Sequence, residues 1–344
     1  MSNKTKGEKP DLSPRRRFLS GLLQGKKGRR ISVANPTSIA CQELMDRLKV
    51  YFPEAHLDYR QMAELAAGGH EILGFDTVMP AFSVHELSAA LGCEVDWGDP
   101  TMMPDAKTHP VKEIEDIHIP ENILEKPSIR VILDAISLLR HEYGHWVAIV
   151  SKVQGPWTLC YHLIGLNNFM VMTITEPQKV RGFLDILKEV VILVANAQLQ
   201  AGADCVCIPD HATGDLVSPK MYADYLVPVH HYMLSRIGGP TILHVCGDCT
   251  DRLDIFAEEG YDGYHYEWQI DTKEAVRIIN GRMALVGNIS NIQALLQGTP
   301  EDVYRQARYS IQNGVDILAP ECAIPLQTKI ENLKAIVTAA EEGY

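Results

Sequence analysis

His244 and Cys246 stand two residues apart at the end of the apolar run Pro240-Thr-Ile-Leu-His-Val-Cys246, and Cys322 ends a second one, Ile317-Leu-Ala-Pro-Glu-Cys322. Side chains two apart on a strand share a face, so the pair can grip one ion while Cys322 closes from another strand. One imidazole and two thiolates suit a borderline-soft ion such as Zn2+, and three protein ligands leave a position open for a substrate atom. The competing reading is core packing, since buried cysteines are common.

Such a site needs strands whose ends converge, and the chain supplies eight short β-rich runs alternating with longer helical patterns, the signature of a parallel sheet wrapped by helices. The runs are 31–35, 77–80, 147–153, 204–209, 241–246, 263–268, 283–288 and 316–320. Between them lie helical stretches at 61–73, 129–143, 180–202, 220–237, 252–259, 272–279 and 300–313. Eight such units predict an α/β fold, a (β/α)8 TIM barrel forming a single domain over 1–344, with its active site at the carboxyl ends of the strands. Those ends carry Asn35, Gln154, Asp210, His244, Cys246, Glu267, Asn288 and Cys322. The proline-rich segment from Ser83 to Ser128 is too long for a simple connection and is expected to form a cap over the barrel mouth. An N-terminal helical extension begins near Arg15-Arg-Arg-Phe-Leu19, where too few apolar residues follow for an export signal; residues 1–12 are expected to be a flexible tail.

At 344 residues, with 46% hydrophobic and 22% charged, the chain can bury one large core. Its net charge is −12, and the ten basic residues among the first 30, against two acids, leave the remainder at −20. That balance argues against a nucleic-acid partner. No apolar run approaches the roughly 18 residues a membrane span needs. Thiolate ligands require reduced sulfur, so a cytoplasmic compartment without disulfides is expected.

Several stretches carry a family resemblance: Phe52-Pro-Glu-Ala-His56, Met62-Ala-Glu-Leu-Ala66, Gly74-Phe75, Gly155-Pro156 with His162-Leu163, Ala201-Gly-Ala-Asp204, Leu243-His-Val-Cys-Gly247, Gly287-Asn288, Gly298-Thr-Pro-Glu-Asp302 and Cys322. Over nearly its whole length the chain resembles the methylcobamide:coenzyme M methyltransferases, zinc enzymes on the uroporphyrinogen-decarboxylase-like barrel. The resemblance implies His244, Cys246 and Cys322 as zinc ligands. It also implies Glu267, after the sixth strand, as a resting fourth ligand displaced when a thiol binds. It further implies a corrinoid (methylcobamide) carried by a partner protein. True decarboxylases of the superfamily carry Arg-Gln-Ala-Gly-Arg after the first strand; Ala34-Asn-Pro-Thr-Ser38 replaces that clamp here, and a tetrapyrrole rich in carboxylates needs cationic partners.

The implied chemistry is in-line attack of a thiolate on a methyl group held by cobalt(III). Zinc deprotonates the thiol, and two cysteine thiolates keep the metal electron-rich enough for the bound sulfur to react. Departures from the family pattern at Gly247-Asp248-Cys249, Pro320-Glu321-Cys322-Ala323, Lys329, Asn291 and Trp268 keep open the reverse direction, in which a methoxylated aromatic gives its methyl to Co(I). Aromatic surface from Trp157, Tyr264, Tyr266 and Trp268 would suit that donor, against a reading of the same residues as barrel filling. A barrel with purely structural thiols is the remaining class. A homodimer is compatible with each.

Lesser candidates complete the reading. Gln154, Asp210, His211, Trp268 and Asn288 are expected to contact substrate from the strand ends. His141-Glu-Tyr-Gly-His145 has zincin-like spacing but precedes the third strand, on the face opposite the site. His230-His231 reads as a surface or interface pair. Cys205 and Cys207 read as core thiols, and Cys249 as an alternative ligand or a residue past the strand.

Overall fold

In the computed structural model, which describes residues 12–25 and 28–344, eight parallel strands form one curled sheet. They are β1 Ser32–Val33, β2 Thr77–Val78, β3 Ala148–Lys152, β4 Cys205–Pro209, β5 Thr241–His244, β6 Gly263–His265, β7 Ala284–Ile289 and β8 Ile317–Pro320. Their bonded order is β1-β8-β7-β6-β5-β4-β3-β2, and the Asp76 N–H donates to the Val33 carbonyl (2.8 Å) to bring β1 against β2. The fold is therefore the expected α/β barrel, nearly closed and ringed by helices. The tail expected over 1–12 lies, but for Leu12, outside the described residues.

Two expectations need correction. The fifth and sixth strands stop at His244 and His265 instead of running on to Cys246 and Trp268, so both Cys246 and Glu267 stand in the turns beyond. The single helix expected over 220–237 is two, Pro219–Tyr225 and Val227–Leu234. Pro228 has no N–H to give to a continuing helix, and it sits where that donor is not needed, in the first turn of the second.

A repeated latch holds the amino end of the barrel. Gly74, Gly202, Gly260 and Gly314 adopt φ of 82°, 121°, 97° and 98°, a left-handed conformation glycine takes without a Cβ clash. Two residues after each comes an aspartate that starts the next strand: Asp76, Asp204, Asp262 and Asp316. Each gives its N–H to the carbonyl of one residue on the preceding strand, Val33, Ile149, Thr241 or Leu285, at 2.7–3.1 Å. Each also accepts that residue's N–H on its carboxylate, at 2.8–3.0 Å. The arginine run adds to this: from the helix Pro14–Gln24, Arg15 pairs with Asp204 and Arg17 with Asp76, joined by Arg140 and Arg30.

Side-chain facing follows from one contact. Ser151 Oγ donates to Gln198 Oε1 (2.7 Å) on the helix Pro177–Ala201, so Ser151 faces the helix layer and Lys152 faces the barrel interior. In register, Lys152 pairs with Cys207, Pro209 with His244, and His244 with His265.

Candidate metal centre

The interior positions at the ends of β5 and β8 bring the three soft ligands together. Cys246 Sγ and Cys322 Sγ each lie 3.3 Å from His244 Nε2, and the two sulfurs are 3.8 Å apart. A tetrahedral ion with metal–sulfur bonds of about 2.3 Å separates two thiolates by ~3.8 Å, so the donor set fits zinc. The Glu267 carboxylate lies beside the sulfurs, the three groups all within 4.8 Å of one another.

The orientation of His244 is fixed from behind. Its Nδ1 faces the His265 carbonyl at 3.1 Å; a carbonyl only accepts, so Nδ1 carries a proton and Nε2, which faces the sulfurs, is the nitrogen that could bind an ion. The hydrogen bond from Cys246, and then the facing His244, hold Cys322 well below the ordinary thiol range despite burial. The same hydrogen bond between the sulfurs, with burial, raises Cys246. Burial, and then the charge on Cys322, raise Glu267.

The residues expected to touch substrate divide. His211 stays beside the triplet: its ring meets His244 edge-on at 5.7 Å, and its Nδ1 lies 3.1 Å from the Tyr161 hydroxyl. Burial, then His244, push it down to about 4. Trp268 is exposed and lines a cavity of about 410 Å³ with Asn288 and Tyr309. Asp210 is not free for substrate; it is fully buried, accepting from the Thr158 N–H (2.8 Å) and bonded to His230 Nε2 (3.0 Å). Asn288 is a strut, accepting from Thr272 and Ser310 while donating to the carbonyls of Glu267 and Ile270. Gln154 is buried and ties β3 to the cap through Leu87 N and Glu86 Oε2.

The remaining candidates resolve as follows. His230 is no surface residue: it is fully buried between Asp210 and Glu259, because the helix face that carries it turns inward, while His231 stays exposed. Trp157, Tyr264 and Tyr266 are completely buried, which makes them filling and not mouth surface. Cys205 and Cys207 are core thiols; Cys249 donates to the Cys246 carbonyl, 3.7 Å away, from a position past the strand. His141, in the last turn of the helix Pro127–Glu142, and His145, in the turn before β3, are both exposed. Three positioning residues escaped the sequence reading. His265 stacks on His244 at 4.6 Å and bonds the Pro320 carbonyl. Glu321 accepts from the N–H groups of Trp268 and Asn291, fixing the turn that carries Cys322. Lys152 is buried in the barrel. A lysine inside an otherwise apolar strand run, Ala148-Ile-Val-Ser-Lys152, was the available signal for the last.

The profile of the uroporphyrinogen decarboxylase (URO-D) family matches residues 14–343. The methylcobamide:CoM methyltransferase MtaA of Methanosarcina barkeri is 33% identical over 95% of this chain and 97% of its own. The methylated-thiol–coenzyme M methyltransferase of Methanosarcina mazei is 31% identical over 96% and 90%. A solved methyltransferase structure from Methanosarcina mazei superposes with a TM-score of 0.93 at 32% identity, covering 96% of this chain and 99% of that one. The chain belongs to the uroporphyrinogen decarboxylase family and, within it, to the methylcobamide:coenzyme M methyltransferases.

Proposed function

We propose that this protein is a zinc-dependent methyltransferase that takes a methyl group from the methyl-Co(III) corrinoid of a partner protein and gives it to the thiol of coenzyme M. The convergence of His244 Nε2, Cys246 Sγ and Cys322 Sγ at 3.3–3.8 Å, with Glu267 on the remaining side, carries the reading. Bound there, zinc would lower the pKa of a substrate thiol so that it reacts as thiolate near neutral pH. The protein's own residues do the rest. His265 holds His244 in the tautomer that leaves Nε2 free, Glu321 fixes the Cys322 turn between its neighbours, and Glu267 fills the open side at rest.

Relatives named as coenzyme M methyltransferases support the thiol acceptor. The methoxylated-aromatic donor loses three of its four supporting side chains to the core and rests on Trp268 alone. The corrinoid partner would dock at the cap, whose Glu86–Ala90 helix and Val95–Asp96/Asp105–Ala106 ribbon lead to the exposed Met102 and Met103. All eight cysteines are free, which supports a reducing, cytoplasmic setting. Among the described residues, no helix is long and apolar enough to cross a membrane.

Cobalt makes the test visible. Zinc-loaded protein mixed with a methylated corrinoid protein and coenzyme M should abolish the methyl-Co(III) spectrum. No change with coenzyme M, and none with methoxylated aromatics and Co(I), across a panel of native corrinoid proteins would overturn the proposal.

A further inference from the structure

Lys152 closes β3, faces the barrel interior and is 2% exposed. Its ammonium has three N–H donors, yet among the described residues it meets one acceptor, the Thr37 carbonyl at 3.3 Å. No carboxylate oxygen of those residues lies within 4.0 Å of it. Burial pushes the Lys152 ammonium below its ordinary range, opposed chiefly by the charge of Glu86, and that acid is already engaged by the Ser83 N–H (3.1 Å) and Gln154 Nε2 (3.3 Å). A charge buried with so few partners is costly unless something neutralises it.

A second buried polar group on this side of the barrel is also unpartnered. His56, 1% exposed beneath the cap, has no partner on either ring nitrogen, and sits against Phe52 at 4.1 Å and Trp97 at 5.7 Å. The Lys152 charge reaches His56, His85 and His211, and is itself felt with that of Cys322. In register Lys152 pairs with Cys207, two residues before the Pro209 that pairs with His244, and its ammonium meets the Thr37 carbonyl across the barrel interior.

We infer that Lys152 anchors the anionic end of a small substrate, a sulfonate or a carboxylate, whose other end reaches His244, Cys246 and Cys322. The reacting end rests on the methyl-transfer reading; the anion site is tested without it. Calorimetry on the zinc-loaded full chain would use ethanesulfonate and benzoate, which have neither thiol nor methoxy group. Wild type should bind at least one, and which one binds separates a sulfonate substrate from a carboxylate one. Lys152→Met, checked for retained zinc and melting temperature, should bind at least tenfold more weakly. Binding of neither anion by wild type, or equal affinity in Lys152→Met, would each overturn the anchor; the first holds even if Lys152→Met does not fold. Wild type that methylates 2-mercaptoethanol and coenzyme M with equal kcat/KM would also overturn it while leaving methyl transfer intact. Wild type that binds ethanesulfonate but methylates no thiol would retain the anchor and remove the transfer reading.

Discussion

The two ends of the barrel treat polar groups in opposite ways. At the amino end, Asp76 and Asp204 are each bonded to a neighbouring strand's backbone and to two arginines. At the carboxyl end, two sulfurs and an imidazole nitrogen converge on one point, His56 has no partner and Lys152 has one acceptor. Groups that satisfy each other contribute stability, and groups held together unsatisfied are available to a ligand. The contrast matches the division of labour in such barrels, with stability at the bottom and chemistry at the top.

Exchanging damage between the ends should expose that division. Cys322→Ser should lose bound zinc and slow methyl transfer by about 1,000-fold or more, while metal-free melting stays near wild type. Asp204→Ala should do the reverse. Loss of the ion pairs to the half-exposed Arg15 and Arg140 and of the β3–β4 latch, which leaves the buried Ile149 N–H without its carboxylate, should cost about 1–3 kcal/mol in denaturant unfolding, with zinc stoichiometry unchanged. If Asp204→Ala released zinc without loss of stability, the two ends would not be separable.

A pH series sharpens the boundary between them, where His230 is buried. Burial opposes its charge, but Glu259 and Asp210 prevail and hold it up to about 10. Because the folded value is raised above the unfolded one of about 6.5, its contribution is complete below that pH and is lost as pH rises toward 10. Wild-type stability should therefore decline by at most ~1.4 kcal/mol per pH unit across that window. His230→Gln, less stable at pH 6.5, should show a shallower decline in urea midpoints between pH 6.5 and 9.5; an equal slope would remove His230 as the source. The smallest effect belongs to Glu267→Gln, which should keep zinc but bind it about tenfold more weakly in chelator competition.

Much of the upper end was legible because its chemistry is local. His244-Val-Cys246 and Cys322 mark themselves by residue type, and strand-end positions follow from the alternation of runs and helices. Glu267 needed the family likeness, since a carboxylate after a strand is common. What stayed hidden depends on pairing across the barrel. The surface reading of His230 failed because the helix face alone does not show that Asp210 and Glu259 close over it. The substrate reading of Asp210 failed for the same contact. The lower end did carry a signal that went unread: Gly74-Phe-Asp76, Gly202-Ala-Asp204, Gly260-Tyr-Asp262 and Gly314-Val-Asp316 repeat one pattern before every second strand. A glycine that ends a helix and an aspartate that latches the next strand explain it.

The central claim is that His244, Cys246 and Cys322 hold one zinc with a side left for the substrate's sulfur. X-ray absorption at the zinc edge measures this directly on purified protein. Two sulfur ligands at about 2.3 Å with nitrogen and oxygen at about 2.0–2.2 Å are expected at rest, rising to three sulfurs when coenzyme M is added. A resting site without two sulfurs, or a sulfur count that coenzyme M leaves unchanged, would contradict the account.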